Sequence, residues 1–139
     1  QKMKPDAVIV SNFQYFNEPD GYSSRAQWWN EGQRSLLAGL QGSSKNLLYI
    51  SDTPHPLRDV PNCLATRNVK DCNTTEKTPN VIISGFKKID PTSWLCTDIC
   101  PAIKDGYVAY RDASHISVEA ALALTSQLET ALRDKGLFS

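Results

Sequence analysis

The chain has 139 residues and a mass of 15.4 kDa, enough for one domain with a buried hydrophobic core. Fifteen Lys and Arg residues balance fifteen Asp and Glu residues, so the excess of positive charge that binds nucleic acids is missing and no nucleic-acid partner is expected. The longest apolar runs, such as Ala7–Val10 and Leu47–Ile50, are far shorter than the ~20 residues of a membrane-spanning helix.

The first part of the chain predicts a βαβ unit. Asp6–Ser11 and Asn46–Ser51 are apolar runs typical of parallel strands buried on both faces. Between them, a helix is predicted to begin at Ser23 or Ser24, either of which can cap it, and to stop at Gly42. The expected buried face of this helix consists of Trp29, Leu36, Leu37 and Leu40.

The middle of the chain predicts mainly loop. Residues 52–80 are rich in Pro, Asn, Asp and Thr, so we expect a long excursion over the edge of the sheet, with a helical turn near Cys63–Asn68. Val81–Ser84 and Lys87–Asp90 have the pattern of short extended segments.

The last part predicts a hairpin followed by a helix. Cys96–Tyr110 indicates a small disulfide-closed hairpin that turns at residues 104–106, Lys-Asp-Gly. The final helix is expected to be capped by Ser117 and to end before Gly136. Its predicted buried stripe is Ala121, Leu124, Leu128 and either Ala131 or Leu132.

These elements predict an α/β fold with helices packed on a mostly parallel sheet. Only two core strands and a third are expected, against the ~5–6 strands of a typical sheet. We therefore expect residues 1–139 to be the C-terminal part of a single domain whose first strands are missing from this chain.

The four cysteines form two local pairs, Cys63 with Cys72 and Cys96 with Cys100. Both pairs lie in loop-forming sequence, which favours two short-range disulfides in an oxidising compartment outside the cytoplasm. A zinc site is the alternative, but neither spacing is C-x-x-C and no His is close in sequence to either pair. No metal ion and no cofactor is expected.

An Asp-x-x-His pattern, Asp112 to His115, leads directly into the final helix. Within one local turn the carboxylate can contact imidazole Nδ1, which leaves Nε2 free to take a proton from a nucleophile. The alternative is that Asp112 and Ser114 serve only as turn and capping groups beside an incidental His. Asp52 and His55 repeat the same spacing in a Pro-flanked segment, where a turn Asp and a loop His are expected instead.

An aromatic group lies around the start of the first predicted helix: Tyr15, Phe16, Trp28 and Trp29. These side chains could line a sugar or acyl pocket, although aromatic residues at helical spacing belong more often to a core.

The segments Ile89–Cys96, Cys100-Pro101 and Tyr110–Ser117 together resemble the C-terminal signature of SGNH domains fused to acyltransferase-3 membrane proteins. Lys4-Pro5-Asp6 before the first strand and Ile50–Pro54 after the second agree with the same family, so the resemblance covers nearly the whole chain. It implies a flavodoxin-like α/β/α sandwich with a Ser-His-Asp arrangement. Asp112 would orient the ring of His115, and His115 would be the general base.

The resemblance also implies that Asn12 supplies an oxyanion-hole amide, although Ser11-Asn12-Phe13 departs from the Gly-x-Asn-Asp pattern of the wider class. A strand-ending Asn that bonds to local backbone is the alternative. The family's nucleophile lies in a Gly-Asp-Ser motif, which does not occur in this chain, and Ser11, Ser51, Ser84 and Ser114 have no elbow context. The serine is therefore expected upstream, in the N-terminal remainder of the domain, and this chain alone is expected to be inactive.

The implied function is an extracytoplasmic O-acyltransferase that passes an acyl group through an acyl-serine to an envelope glycan, lipid or peptidoglycan. The implied partners are an integral membrane acyltransferase domain that delivers the acyl donor and a glycan or lipid acceptor. The implied location is the periplasmic or extracellular face of a bacterial membrane. Ester hydrolysis by the same machinery is a variant, and a non-catalytic SGNH-like module that binds a glycan or a protein is the alternative.

Overall fold

A computed structural model describes residues 4–13, 21, 24–75 and 86–137. The chain divides into two compact units. The first comprises Gln1–Asp52 and Pro79–Ile89, and the second comprises Thr53–Thr78 and Asp90–Ser139. The predicted strand Val81–Ser84 and the aromatic residues Tyr15 and Phe16 lie outside the described residues.

The first unit is a parallel sheet with one long helix. Its elements are β1 (Ala7–Ser11), α1 (Arg25–Leu40), β2 (Asn46–Ile50) and β3 (Lys87–Ile89). The strand order is β1-β2-β3, and β2 pairs in parallel with both neighbours. The predicted α/β class, the βαβ unit and the strand at residues 87–90 are thereby confirmed.

The two long strands differ in burial. In β2, Leu47, Leu48 and Tyr49 are all buried, as the sequence predicts for a central strand. In β1 the same prediction is wrong, because Ile9 is 47% exposed and Ser11 is also exposed. The physical reason is position: among the described residues β1 pairs only with β2, so it lies at an edge of the sheet.

Helix α1 begins and ends as its sequence predicts. The hydroxyl of Ser24 accepts a hydrogen bond from the backbone N–H of Gln27 at 3.2 Å, which caps the first turn. Gly42 follows the helix with a φ of +81°, a conformation that glycine adopts without strain.

The buried face of α1 differs from the apolar face that was predicted. Leu37 is buried, and Trp29 and Leu40 are half-buried, but Leu36 is 42% exposed. Gln33, four residues before Leu37 and thus on the same helical face, is buried in its place at 4% exposure. A pattern that weighs only apolar residues could not include this glutamine.

The second unit consists of short helices and a hairpin: α2 (Val60–Thr66), a 3₁₀ turn (Val69–Cys72), α3 (Thr92–Leu95), β4 (Ile103–Lys104), β5 (Tyr107–Val108), α4 (Val118–Ala123) and α5 (Thr125–Asp134). β4 and β5 are antiparallel. Asp105 and Gly106 form their turn with φ values of +49° and +87°, at the position that the sequence predicts.

Helix α2 is longer than the predicted helical turn and begins earlier. The Asp59 carboxylate accepts from the backbone N–H of Asn62 at 2.9 Å, and Pro61 lies in the first turn, where its missing N–H costs nothing. These two N-terminal signals stand four and two residues before Cys63, where the predicted turn begins.

All four cysteines are in disulfides, Cys63 with Cys72 and Cys96 with Cys100, so no thiolate remains to bind zinc. The first disulfide belongs to a core cluster with Val60. The second closes the loop before the hairpin and not the hairpin itself, which corrects the prediction of a disulfide-closed hairpin.

The final helix is interrupted at Leu124, between α4 and α5. Its cap is the predicted one, since Ser117 Oγ accepts from the backbone N–H of Ala120 at 3.0 Å. Leu124 is buried as expected, and Leu128, Ala131 and Leu132 are half-buried. The predicted stripe is wrong only at Ala121, which is exposed, while Ala120 is the buried alanine. In the part of the chain that the structure describes, no helix is long and apolar enough to span a membrane.

Candidate active site

The segment before α4 forms a small closed loop. Tyr110 and Ile116 pair as an isolated antiparallel bridge, and the backbone N–H of Arg111 donates to the carbonyl of His115 at 3.0 Å. The N–H of Ser117 donates to the carbonyl of Ala109 at the same distance. Since the loop is closed by backbone bonds at its base, the side chains at its tip are held in place by local structure.

Asp112 organises the tip of this loop. Its Oδ1 accepts the backbone N–H groups of Ser114 and His115, both at 2.8 Å. An aspartate that accepts from the amides two and three residues ahead stabilises a tight turn without help from distant elements. The turn brings the His115 ring back over the carboxylate.

The same carboxylate contacts the imidazole. His115 Nδ1 lies 2.8 Å from Asp112 Oδ2 and 3.0 Å from Oδ1. An ionised carboxylate only accepts hydrogen bonds, so Nδ1 carries the proton and donates a hydrogen bond to Asp112. The neutral ring then has its lone pair on Nε2, which is the tautomer that a general base requires.

The electrostatics favour an ionised Asp112. The backbone N–H groups of Ser114 and His115 hold the pKa of this carboxyl well below its usual range, and the His115 side chain adds to the effect, while partial burial opposes it. The side chain of His115 is 57% exposed, so the ring is open to solvent and to a reactant. The site therefore combines an acid that is ionised at neutral pH with an accessible imidazole.

Two further residues contact the pair: Arg111, which was not singled out from the sequence, and Ser114, which was considered there as a turn or capping group. Arg111 Nε lies 3.5 Å from Asp112 Oδ2, and Ser114 Oγ lies 3.2 Å from His115 Nδ1 and donates to Asp112 Oδ1 at 3.4 Å. Ser114 contacts the nitrogen that faces the aspartate, whereas a nucleophile must face Nε2. The position of Ser114 inside the Asp-x-x-His pattern was the sequence signal for it, and its contacts make it part of the turn.

Asn12 belongs to the first unit, where it directly follows β1. Its Oδ1 is buried and has no hydrogen-bond partner among the described residues. Its role as an oxyanion-hole amide stays a prediction.

The second Asp-x-x-His pattern has a different environment. His55 is only 1% exposed, and the flanking Pro54 and Pro56 are buried with it. The segment belongs to no helix or strand, and the histidine is a packed interior side chain and not an exposed loop residue. Of the two histidines, only His115 is accessible to a reactant.

The fold and this site define a class of protein: an α/β domain with a parallel sheet and a surface Asp–His pair ahead of its last helices. The chain belongs to the SGNH domain family, described as SGNH domains fused to AT3 domains, whose model matches residues 1–130. Comparisons with curated proteins and with solved structures gave no match.

Family membership makes the chain an SGNH-type acyltransferase module at the family level. The fusion that characterises the family supports a membrane acyltransferase domain as partner. Two disulfides fit an extracytoplasmic domain, because such bonds persist in oxidising compartments.

Proposed function

We propose that the domain transfers an acyl group, through an acyl-serine, from a donor delivered by the membrane domain to an acceptor hydroxyl of the cell envelope. The observation that carries this proposal is the contact of His115 Nδ1 with Asp112 at 2.8 Å, which reserves Nε2 for proton transfer. Asp112 and His115 are the acid and base of the proposed machinery, and Asn12 is its proposed oxyanion-hole amide.

In the first half-reaction, Nε2 of His115 takes the proton of the serine hydroxyl while the serine oxygen attacks the donor's acyl carbonyl. Asp112 stabilises the imidazolium that forms. The tetrahedral intermediate collapses when the imidazolium returns its proton to the leaving group, which leaves the acyl group esterified to serine.

In the second half-reaction, the acceptor hydroxyl gives its proton to Nε2 and attacks the acyl-serine carbonyl. Collapse of this intermediate returns the proton to the serine oxygen and releases the acylated acceptor. Water in place of the acceptor gives hydrolysis, so the esterase activity needs no other residue.

The nucleophile in this proposal is a serine in a Gly-Asp-Ser segment upstream of Gln1, within the same domain. The Gly-Asp-Ser sequence does not occur within the 139 residues. An additional strand beside β1 is supported by the edge position of β1 among the described residues and by the exposure of Ile9. A parallel strand there would place a following serine at the carboxyl edge of the sheet, where open α/β sheets bind their ligands.

The proposal is tested by labelling with a fluorophosphonate, which reacts with activated serines, and by locating the adduct with mass spectrometry. The longer protein that contains the upstream segment is compared with the 139-residue chain. We expect one adduct, on an upstream serine, in the longer protein and none in the shorter chain. The adduct should disappear in His115→Ala and persist in Val118→Ala, an exposed position three residues away.

An unlabelled longer protein that contains the Gly-Asp-Ser segment would refute the acyl-serine mechanism and favour the non-catalytic binding module. Labelling of a serine within the 139 residues would refute the upstream position of the nucleophile.

A further inference from the structure

The first unit contains a cavity of about 570 Å³ beside the carboxyl end of β1. Its lining comes from that strand end and from residues 28–36 of α1, and includes Asn12, Phe13, Trp28, Trp29, Gly32 and Gln33. The volume is within the ~300–1,000 Å³ range of small-molecule sites. Ligands of parallel α/β sheets bind at this end of the strands.

Two lining residues carry buried oxygens whose hydrogen-bonding capacity is unused. Asn12 Oδ1 and Gln33 Oε1 are both buried, and neither has a hydrogen-bond partner within the described ranges. Gln33 is only 4% exposed. An unpaired buried amide oxygen costs about 1–3 kcal/mol, so two in one cavity indicate a ligand that donates hydrogen bonds.

The aromatic part of the lining comes from adjacent residues of α1. Trp28 and Trp29 are half-buried, with ring centroids 6.0 Å apart and planes inclined by 71°. The two rings meet edge to face, and both residues line the cavity. The electron-rich face of an indole attracts the polarised C–H groups of a ring that stacks on it.

We propose that this cavity is a saccharide-binding subsite in which Asn12 and Gln33 accept hydrogen bonds from ring hydroxyls and Trp28 and Trp29 contact the sugar's C–H face. An acyl chain could fill the apolar part but has no donor for either oxygen. A saccharide supplies both the donors and the C–H face. The assignment of this cavity as the acceptor subsite of the transferase rests on the proposed function. It makes the acceptor a glycan and not a lipid.

Gly32 gives access to the cavity from α1. Gly32 lines the cavity, and a Cβ placed there meets nothing within 4 Å, so a side chain can be added at this position without a clash at its Cβ. Gly39 is seven residues later on almost the same helical face, also meets nothing within 4 Å, and does not line the cavity. The two glycines allow the same substitution to be made inside and outside the proposed site.

The experiment is a titration of the ¹⁵N-labelled longer protein that contains the upstream segment, with chitotriose and, separately, with maltotriose, followed by the indole N–H signals of Trp28, Trp29 and Trp94. Signals are assigned with single Trp→Phe variants. We expect a saccharide to shift the signals of Trp28 and Trp29 and to leave unchanged that of Trp94, which does not line the cavity. Gly32→Leu should abolish the shifts, and Gly39→Leu should preserve them.

The Gln33→Met variant distinguishes a role of the Gln33 amide in saccharide binding from a role in the stability of the fold. This substitution keeps the length of the side chain and removes the buried amide, so we expect an unchanged or higher unfolding midpoint with saccharide binding about fivefold weaker. A loss of stability together with unchanged binding would show that the amide is structural and would overturn the assignment.

Two other outcomes would also overturn it: no indole shift with either saccharide, or shifts that occur only with dodecylphosphocholine, a lipid analogue. Saccharide binding does not require the nucleophile, so it is independent of the labelling experiment. Saccharide binding without fluorophosphonate labelling would support the subsite and refute the transferase. Labelling without saccharide binding would support the transferase and refute the subsite.

Discussion

His115 Nδ1 and Asp112 Oδ2 lie 2.8 Å apart, while Oδ1 of the same aspartate accepts the backbone N–H groups of residues 114 and 115. One carboxylate thus builds the turn and orients the ring that the turn carries. The two interpretations of the Asp-x-x-His pattern, a turn-forming Asp and a catalytic pair, are therefore compatible. They differ in what they expect of substitutions at the two positions.

Replacing His115 with alanine should remove activity without unfolding the domain. The ring is largely exposed, so little packing is lost. General-base catalysis contributes about 10²–10⁴-fold, and we expect fluorophosphonate labelling of the longer protein to slow by at least the lower figure. The rate in Val118→Ala is the comparison, and a labelling rate in His115→Ala close to wild type would exclude His115 as the base. His55→Ala is unsuitable as a control, because it removes a buried side chain.

Asp112→Asn should keep the turn and lose most of the activity. The asparagine Oδ1 can still accept the two backbone N–H groups, but its NH₂ group donates towards Nδ1 and drives the proton to Nε2. We expect a loss on the order of 10³–10⁴-fold, with a small residual rate. Ring ¹⁵N chemical shifts of His115 measure the tautomer directly. A variant that retained an Nδ1–H ring and still lost activity would contradict this mechanism.

The low pKa of Asp112 predicts an acid-dependent loss of stability. The carboxyl titrates near 3.8 when the chain is unfolded and well below that value when folded. Its contribution is therefore fully present above about pH 4 and is lost as the pH falls below that value, since the unfolded chain binds the proton first. Urea unfolding of wild type and Asp112→Asn between pH 2 and 6 should show the wild-type advantage shrinking towards low pH. A constant difference across this range would contradict it.

The two disulfides should differ in their effect on stability. Cross-links of this size stabilise by roughly 2–3 kcal/mol, and the effect grows with the length of the closed loop. Cys63 and Cys72 are nine residues apart, whereas Cys96 and Cys100 are four apart. We expect the double alanine variant of the first pair to lower the free energy of unfolding more than that of the second. The reverse order in urea titrations would show that local packing outweighs loop length.

Tyr110→Phe should be neutral or stabilising. The Tyr110 ring is buried, and its hydroxyl has no hydrogen-bond partner in the described part of the chain. Removing an unpaired buried hydroxyl removes its desolvation cost. Burial raises the pKa of Tyr110 to about 12, so wild type should lose stability as the pH rises above 10, because unfolding allows the phenol to ionise. Thermal unfolding at pH 7 and at pH 10.5 checks both effects, and a variant clearly less stable at pH 7 would refute the first.

Structural features formed by residues that are close together in the sequence were predictable from the sequence. The Ser24 and Ser117 caps, the Asp105-Gly106 turn and the Asp112–His115 contact each depend on groups no more than three residues apart. Their geometry follows from side-chain chemistry and spacing, and distant parts of the chain hardly change it. The burial of strand β2 was also predicted, since a continuous apolar run is typical of a buried parallel strand.

Burial was decided by the tertiary structure, because desolvation depends on which distant segments cover a residue. The apolar sequence of β1 gave no sign that Ile9 would be exposed at an edge, and nothing in the sequence around Gln33 or His55 indicated that they would be interior. The cavity beside Asn12 and Gln33 likewise exists only because a strand end meets a helix some twenty residues away in sequence. By itself the sequence determined the fold class, the family resemblance and the Asp–His pair, whose contacts are local. Which faces are covered, and where a ligand has room to bind, required the packed chain.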